Sequence, residues 1–195
     1  MWNLFPYPAE VRDGGNCHWT SRRGSGRSTN LHSMPLVPFS ELPAQARIWV
    51  FGADRPITGA AADTLLAEVD QYLGQWKAHG FPLKAAREWK ENRFLIIGID
   101  PTEEQASGCS IDGLFRQLQQ AQRTIGAQLV GGGRVFYRDK SGQTQSVSRE
   151  EFADLAKSSL GPATPVFDTS VTKLDDWKTR FEKPLKESWA RSLSS

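Results

Sequence analysis

Continuous or alternating apolar residues in three segments of the chain predict β-strands. The segments are 47–54 (RIWVFGAD), 83–89 (LKAAREW) and 93–100 (RFLIIGID). The third segment is apolar almost without a break, which is typical of a strand that is covered on both faces or lies centrally in a sheet. The dipeptide Glu91-Asn92 predicts a tight connection between the second and third strands.

Apolar positions three or four residues apart predict two helices. The first covers residues 60–79 and ends at Gly80. The second follows the third strand, with Cys109 or Ser110 at its N-cap and Asp112 in its first turn. The apolar stripes are Leu65, Val69, Tyr72 and Trp76 in the first helix, and Ile111, Leu114, Phe115, Leu118 and Ile125 in the second.

The order of these elements predicts an α+β fold of the ferredoxin-like, split β-α-β type. A fourth strand completes the order β-α-β-β-α-β, in which two helices cover one face of an antiparallel sheet. A C-terminal hairpin, a helix and a docking tail are added to this sandwich. These later elements are a hairpin of strands 135–138 and 143–147, a helix opened by the capping box of Ser148 and Glu151, a short edge strand at 164–171, and a helix-prone tail from Leu174 to Arg191.

Residues 1–33 differ from the rest of the chain. They show no helical or strand periodicity, and Gly, Ser, Arg, Asn and Thr dominate their second half. We interpret them as a disordered leader, either a genuine tail or sequence upstream of a natural start at Met34. They hold no apolar core of a secretory signal, so we expect a cytoplasmic protein. The remainder divides into a core domain, 34–160, and a docking tail of the same domain, 161–195.

The charge of the chain is nearly balanced, with 24 Lys and Arg against 22 Asp and Glu. Four of the basic and two of the acidic residues lie in the leader, so the 20 basic and 20 acidic residues that remain cancel. This balance argues against a nucleic-acid partner. No apolar run approaches the roughly 18 residues of a membrane span. Because one Cys and one His outside the leader match no ligand spacing, we expect neither a metal nor a cofactor.

The predicted topology brings the most chemically versatile residues to one edge of the sheet. Outside the leader, the only Cys is Cys109 and the only His is His79. The first helix and the third strand both end at this edge, and the second helix begins there. We therefore expect His79, Asp100, Cys109, Ser110 and Asp112 to lie close together.

This edge supports two hypotheses about function. A thiol at a helix N-terminus beside a His has a lowered pKa, so Cys109 and His79 form a candidate catalytic pair of a Cys-dependent enzyme. The N–H groups of a helix end also bind anions. Ser110, Asp112 and Asp100 are then candidate ligand-binding residues of a non-catalytic module for a small anionic ligand or a protein partner. Capping and packing also explain these residues, and we favour the non-catalytic module.

Five stretches of the chain resemble a known protein family. They are 39–57, 75–85, 93–100, 164–171 and, most specifically, SGCSID at 107–112. The family is an uncharacterised group of small bacterial proteins, found mostly in the Bacteroidetes, that are often labelled "ABC transporter ATPase". That label implies a P-loop, whose Lys neutralises phosphate charge and whose hydroxyl holds Mg²⁺. The nearest match, residues 126–133, has neither group, so the motifs do not support ATPase activity.

Overall fold

A computed structural model of the chain describes residues 36–102, 104–129 and 133–193, and the predicted leader lies outside these ranges. The strands are β1 Arg47–Gly52, β2 Lys77–Ala78, β3 Phe81–Pro82, β4 Ala85–Lys90, β5 Phe94–Ile99, β6 Arg134–Arg138, β7 Thr144–Ser148, β8 Pro165–Phe167 and β9 Glu182–Pro184. The α-helices are α1 Ala60–Leu73, α2 Gly108–Ile125, α3 Arg149–Ser158 and α4 Leu174–Arg180, with short 3-10 helices at Phe39–Glu41, Leu185–Glu187 and Trp189–Leu193.

The first sheet has the antiparallel order β1-β5-β4. Its central strand, β5, is buried along its whole length, as the unbroken apolar run predicts. The β4–β5 turn has positive φ at both Glu91 and Asn92, the predicted tight connection. Helices α1 and α2 pack together on one face of this sheet. The order of β1, β5 and β4 in the sheet and the placement of the two helices therefore agree with a split β-α-β unit.

The fourth strand departs from the ferredoxin-like order. In the described residues β6 pairs with β7 and β8, not with β1, and belongs to a second sheet of order β7-β6-β8-β9. The outer edge of β1 is met instead by Thr172 and Lys173. The α+β class is confirmed, and the four-stranded ferredoxin-like sheet is not found. The prediction that 164–171 is an edge strand is wrong, because β8 lies between β6 and β9.

The elements stack in four layers around three apolar clusters. One cluster lies between α1 with α2 and the first sheet, the second lies between the two sheets, and the third lies between the second sheet and α3. Alternation along β6 divides its side chains between two of these clusters, because Phe136 points toward the first sheet while Val135 and Tyr137 point toward α3. Both faces of β6 are therefore covered.

Four aromatic rings hold the two sheets together. The ring centroid of Phe94 lies 5.1 Å from Phe136, 4.9 Å from Phe167 and 5.1 Å from Phe181. The sheets approach so closely here that a Cβ atom on Gly52 would lie 2.4 Å from the Phe136 ring. A residue with a side chain at position 52 therefore requires the sheets to move apart.

The first predicted helix is shorter than its apolar spacing indicates. Helix α1 ends at Leu73, and the chain then forms the small hairpin β2–β3. Trp76 is buried beyond the helix, and its carbonyl accepts a hydrogen bond from the Leu83 amide at 2.9 Å. A helical stripe and a short hairpin can bury the same tryptophan, so the spacing does not distinguish them.

The N-terminus of α3 follows the predicted chemistry, whereas the N-terminus of α2 and the C-terminal tail do not. Ser148 and Glu151 form both hydrogen bonds of the predicted capping box of α3. The N-cap of α2 is Ser107 rather than Cys109 or Ser110, and Asp112 lies beyond the first turn. The helix-prone tail is α-helical only in α4; it then pairs with β8 as β9 and continues in two short 3-10 helices.

The aromatic cluster generates a stability prediction. Phe94→Ala removes a ring with no solvent exposure and three aromatic neighbours, so we expect it to cost about 3–5 kcal/mol of unfolding free energy. Phe81→Ala is the matched control, because that ring is 64% exposed and its loss should cost less than about 0.5 kcal/mol. Urea denaturation followed by circular dichroism measures both, and similar losses in the two variants would contradict the central role of Phe94.

Candidate functional site

The predicted edge of the first sheet is present and is closed by hydrogen bonds from α1 and the segment after it. Tyr72 Oη donates to the carbonyl oxygen of Ser110 at 3.3 Å, and Trp76 Nε1 donates to the same oxygen at 3.0 Å. The end of the first helical segment therefore meets the start of α2, as the topology predicts. Burial of the phenol raises the pKa of Tyr72, which keeps it a neutral donor.

His79 stands on the turn of the β2–β3 hairpin rather than on a helix. It is exposed, and both His79 and Gly80 have positive φ, as the central residues of a type I′ turn do. Among the described residues, no hydrogen bond or ion pair joins His79 to another side chain. The hairpin contacts α2, but the position of His79 is set by the backbone conformation of the turn.

The predicted residues of α2 have different environments. Cys109 is exposed as the second residue of the helix, and Asp112 is exposed one turn further along. Ser110 is buried, and its hydroxyl donates to the carbonyl of Ser107 at 2.9 Å. Its carbonyl accepts the two hydrogen bonds that close the edge. Ser110 therefore holds the edge together, and its polar groups are engaged within the protein.

Asp100 is buried at the end of β5 and is also engaged. Its Oδ1 accepts hydrogen bonds from the Thr102 hydroxyl at 2.6 Å and the Thr102 amide at 3.0 Å. Its Oδ2 pairs with Lys84 Nζ at 3.2 Å. The Thr102 hydroxyl above all, with the Thr102 amide and the Lys84 ammonium, holds the pKa of Asp100 below its usual range.

A cleft of about 580 Å³ lies beside the second sheet, away from the edge of the first sheet that holds Ser110 and Asp100. The β6–β7 turn, the end of α3 and the start of β8 surround it. Leu155, Leu160 and Pro165 form its apolar wall. The volume falls within the roughly 300–1,000 Å³ of small-molecule sites in proteins.

Two of the three charged residues that line the cleft, Arg138 and Asp139, are saturated by internal contacts. Arg138 donates to Glu91 at 3.0 Å, to Glu182 at 3.0 and 3.3 Å and to a backbone carbonyl, and these carboxylates raise its pKa. Asp139 accepts hydrogen bonds from the amide and hydroxyl of Ser141 and from Gln143 and Gln145. These bonds, led by the Ser141 hydroxyl, lower the pKa of Asp139 to about 2.

Three other polar groups of the cleft keep their hydrogen-bonding capacity. Tyr137 is only 8% exposed, and its hydroxyl makes no hydrogen bond to the described residues. Burial, and then the charge of Asp139, raises its pKa, so the phenol is a neutral donor. The Thr164 hydroxyl and the exposed Lys140 ammonium also lack a hydrogen bond or ion pair within the described ranges. A phenol, a hydroxyl and an ammonium are all donors, so the cleft can bind an oxyanion.

Comparison with known proteins finds no match. No family model, no curated protein and no solved structure is similar enough to this chain to assign it to a family. The sequence resemblance described above stays a prediction. Within the described ranges, no helix has the length and apolar character needed to cross a membrane. The same part of the chain has no group of three or more His, Cys, Asp or Glu positioned to hold a metal ion.

Sequence reasoning missed the cleft, because strand pairing between distant segments builds it. In the sequence, Tyr137 is one position of the predicted strand 135–138, and Lys140 lies in the predicted hairpin that follows it. Thr164 reaches the cleft because β8 pairs with β6, where Tyr137 is the register partner of Val166. Nothing in the local pattern of any of these three residues indicates that they meet.

The Asp100 contacts predict a pH dependence of stability. Because the folded-state pKa lies below the unfolded value of about 4, the charged carboxylate stabilises the fold above that value, and this contribution is lost as pH falls through the folded pKa. We expect Asp100→Asn to cost about 1 kcal/mol at neutral pH and to approach the parent protein near pH 2. Urea denaturation from about pH 7 to about pH 2 measures this, with the exposed Asp112→Asn as control. A constant gap between parent and Asp100→Asn would refute the ionic contribution.

Proposed function

We propose that this chain is a non-catalytic cytoplasmic module that binds a small organic anion in the cleft beside β8. The observation that carries the proposal is the division of polar groups around the cleft. Its carboxylate and guanidinium are saturated by contacts within the protein, whereas its phenol, hydroxyl and ammonium are open donors. A ligand that satisfies three donors supplies acceptor oxygens, and its negative charge complements Lys140.

The apolar wall narrows the ligand class. Leu155 and Leu160 are partly buried and pack against the cluster beneath α3, so they offer apolar surface beside the donors. A carboxylate or phosphate with a small apolar body fits this combination, since its charged end faces Lys140 and its body covers the leucines. Inorganic phosphate has no such body and should bind more weakly. The two ligand classes expected from the sequence are a small anion and a protein partner, and the cleft favours the first.

The structure provides no specific observation that favours the Cys-dependent enzyme. That function requires His79 to act on the Cys109 thiol, and no hydrogen bond among the described residues joins the two. His79 is oriented by a hairpin turn and Cys109 by the first turn of α2. The binding module is therefore the function we propose.

The proposal predicts selective binding of anions at three residues. Benzoate should bind and perturb the amide resonances around Tyr137, Lys140 and Thr164, whereas benzamide, which has the same shape without the charge, should bind at least about tenfold more weakly. Tyr137→Phe and Thr164→Val should each weaken benzoate binding about threefold to tenfold, because each removes one hydrogen bond. Lys140→Met should weaken it by about tenfold or more.

Lys77→Met is the matched control, since that lysine is exposed on the β2–β3 hairpin. Titration followed by ¹H–¹⁵N NMR gives both the affinity and the location. Equal binding of benzoate and benzamide, or equal effects of Lys140→Met and Lys77→Met, would show that the cleft is not an anion site.

The non-catalytic assignment predicts an ordinary thiol at position 109. In a Cys17→Ser background, the rate of alkylation of Cys109 by iodoacetamide should rise with pH around the model thiol value of about 8.5. His79→Ala should leave that profile unchanged, and Cys109→Ser provides the blank. A midpoint more than about one pH unit lower that returns toward 8.5 in His79→Ala would instead support the catalytic pair.

A further inference from the structure

A second cleft, of about 300 Å³, lies beside the end of β8 and is separate from the proposed anion site. Val166 and Trp189 form its apolar wall. Trp189 is 37% exposed, and its Nε1 donates to the Phe167 carbonyl at 3.2 Å, which fixes the orientation of the indole. The guanidinium of Arg149 lies 5.6 Å from the centre of the ring. The tryptophan is therefore a rigid apolar surface at the rim of the cleft.

Asp168 lines this cleft with a carboxylate that is only half engaged. The residue is 7% exposed, and its Oδ1 accepts hydrogen bonds from the amide and hydroxyl of Ser170. Its Oδ2 accepts no hydrogen bond and forms no ion pair with any residue in the described ranges. This oxygen is not among the enclosed polar atoms that lack a partner, so it is reachable from the cleft. A carboxylate oxygen that is reachable and unused can accept a hydrogen bond from a cationic group of a ligand.

Positive groups line the same cleft without pairing to Asp168. Lys183 forms no ion pair in the described part of the chain. Arg180 is 3.6 Å from Asp176, an exposed pair within one helix that contributes little energy. Glu187 is also at the rim, where it lies 3.6 Å from Lys186. The cleft thus offers an acceptor from Asp168 and donors from Lys183 and Arg180.

A ligand that matches both sets of groups carries a positive and a negative charge close together. We propose that this cleft binds a free α-amino acid with an apolar side chain. Its ammonium group donates to Asp168 Oδ2, its carboxylate accepts from Lys183 and Arg180, and its side chain packs against Val166 and Trp189. The volume, at the lower end of the range for small-molecule sites, suits a ligand of this size.

The test separates the two charges of the ligand. Isothermal titration compares L-leucine with leucinamide, which has no carboxylate, and with 4-methylpentanoate, which has no ammonium. We expect L-leucine to bind and each analogue to bind at least about tenfold more weakly, because each loses one charge-assisted contact. Binding of leucinamide or 4-methylpentanoate with the affinity of L-leucine would overturn the proposal, as would absence of binding across L-amino acids from alanine to phenylalanine.

Two variants assign the binding to this cleft. Asp168→Asn keeps the oxygen that accepts from Ser170 and removes the charge, and Lys183→Met removes one cation. Each should weaken L-leucine binding about tenfold or more, whereas Asp154→Asn, at an exposed position of α3, should leave it unchanged.

Lys183→Met keeps the test valid if Asp168→Asn does not fold. Lys140→Met should not alter L-leucine binding, and Asp168→Asn should not alter benzoate binding, so failure at one cleft is distinguishable from failure at the other. L-leucine binding that neither Asp168→Asn nor Lys183→Met weakens would place the amino acid elsewhere and refute the proposal.

Discussion

The contact between the two sheets through Phe94 is the interaction on which the rest of the structure depends. Phe94 begins the central strand of the first sheet and meets rings from β6, β8 and the residue after α4. These rings come from segments far apart in the chain, so one buried side chain fixes the relative position of both sheets. Aromatic edge-to-face packing adds orientation to the burial of apolar area.

Both clefts follow from this arrangement, because each is built around β8. The strand enters the second sheet between β6 and β9, with Phe167 packed on Phe94 from one face and Val166 turned toward α3 on the other. Thr164 and Pro165 then border the larger cleft, and Val166 and Asp168 border the smaller one. A strand of three residues therefore joins the core to the two surfaces that we propose bind ligands.

The polar groups of this protein fall into two classes: those whose hydrogen bonds are all made within the chain, and those with an atom left for a ligand. Arg138 and Asp100 are surrounded by partners within the chain, which stabilise their charged forms and leave little capacity for a ligand. Tyr137 and Asp168 are also buried residues, but each keeps an unused hydrogen-bonding atom that is reachable from a cleft. A polar atom that no protein group uses can bond to a ligand without the loss of an internal hydrogen bond.

The sequence by itself determined the elements whose signals are local. The unbroken apolar run of β5, the stripe of α2 and the capping box of α3 each depend on neighbours within a few residues, and all three are present. The order of elements also predicted that the end of α1 lies near the start of α2. In an antiparallel sheet of this order, the first helix ends at the same sheet edge at which the second helix begins.

Only the tertiary structure decided which strands share a sheet and which polar groups stay open. The order of β1, β4, β5 and β6 along the chain is compatible with one ferredoxin-like sheet, but β6 pairs with β7 and β8 in a second sheet and is buried on both faces. The unused atoms of Tyr137 and Asp168 depend on contacts with segments far along the chain. Periodicity records whether a side chain is buried, but not which atoms surround it, so the clefts are a property of the assembled layers.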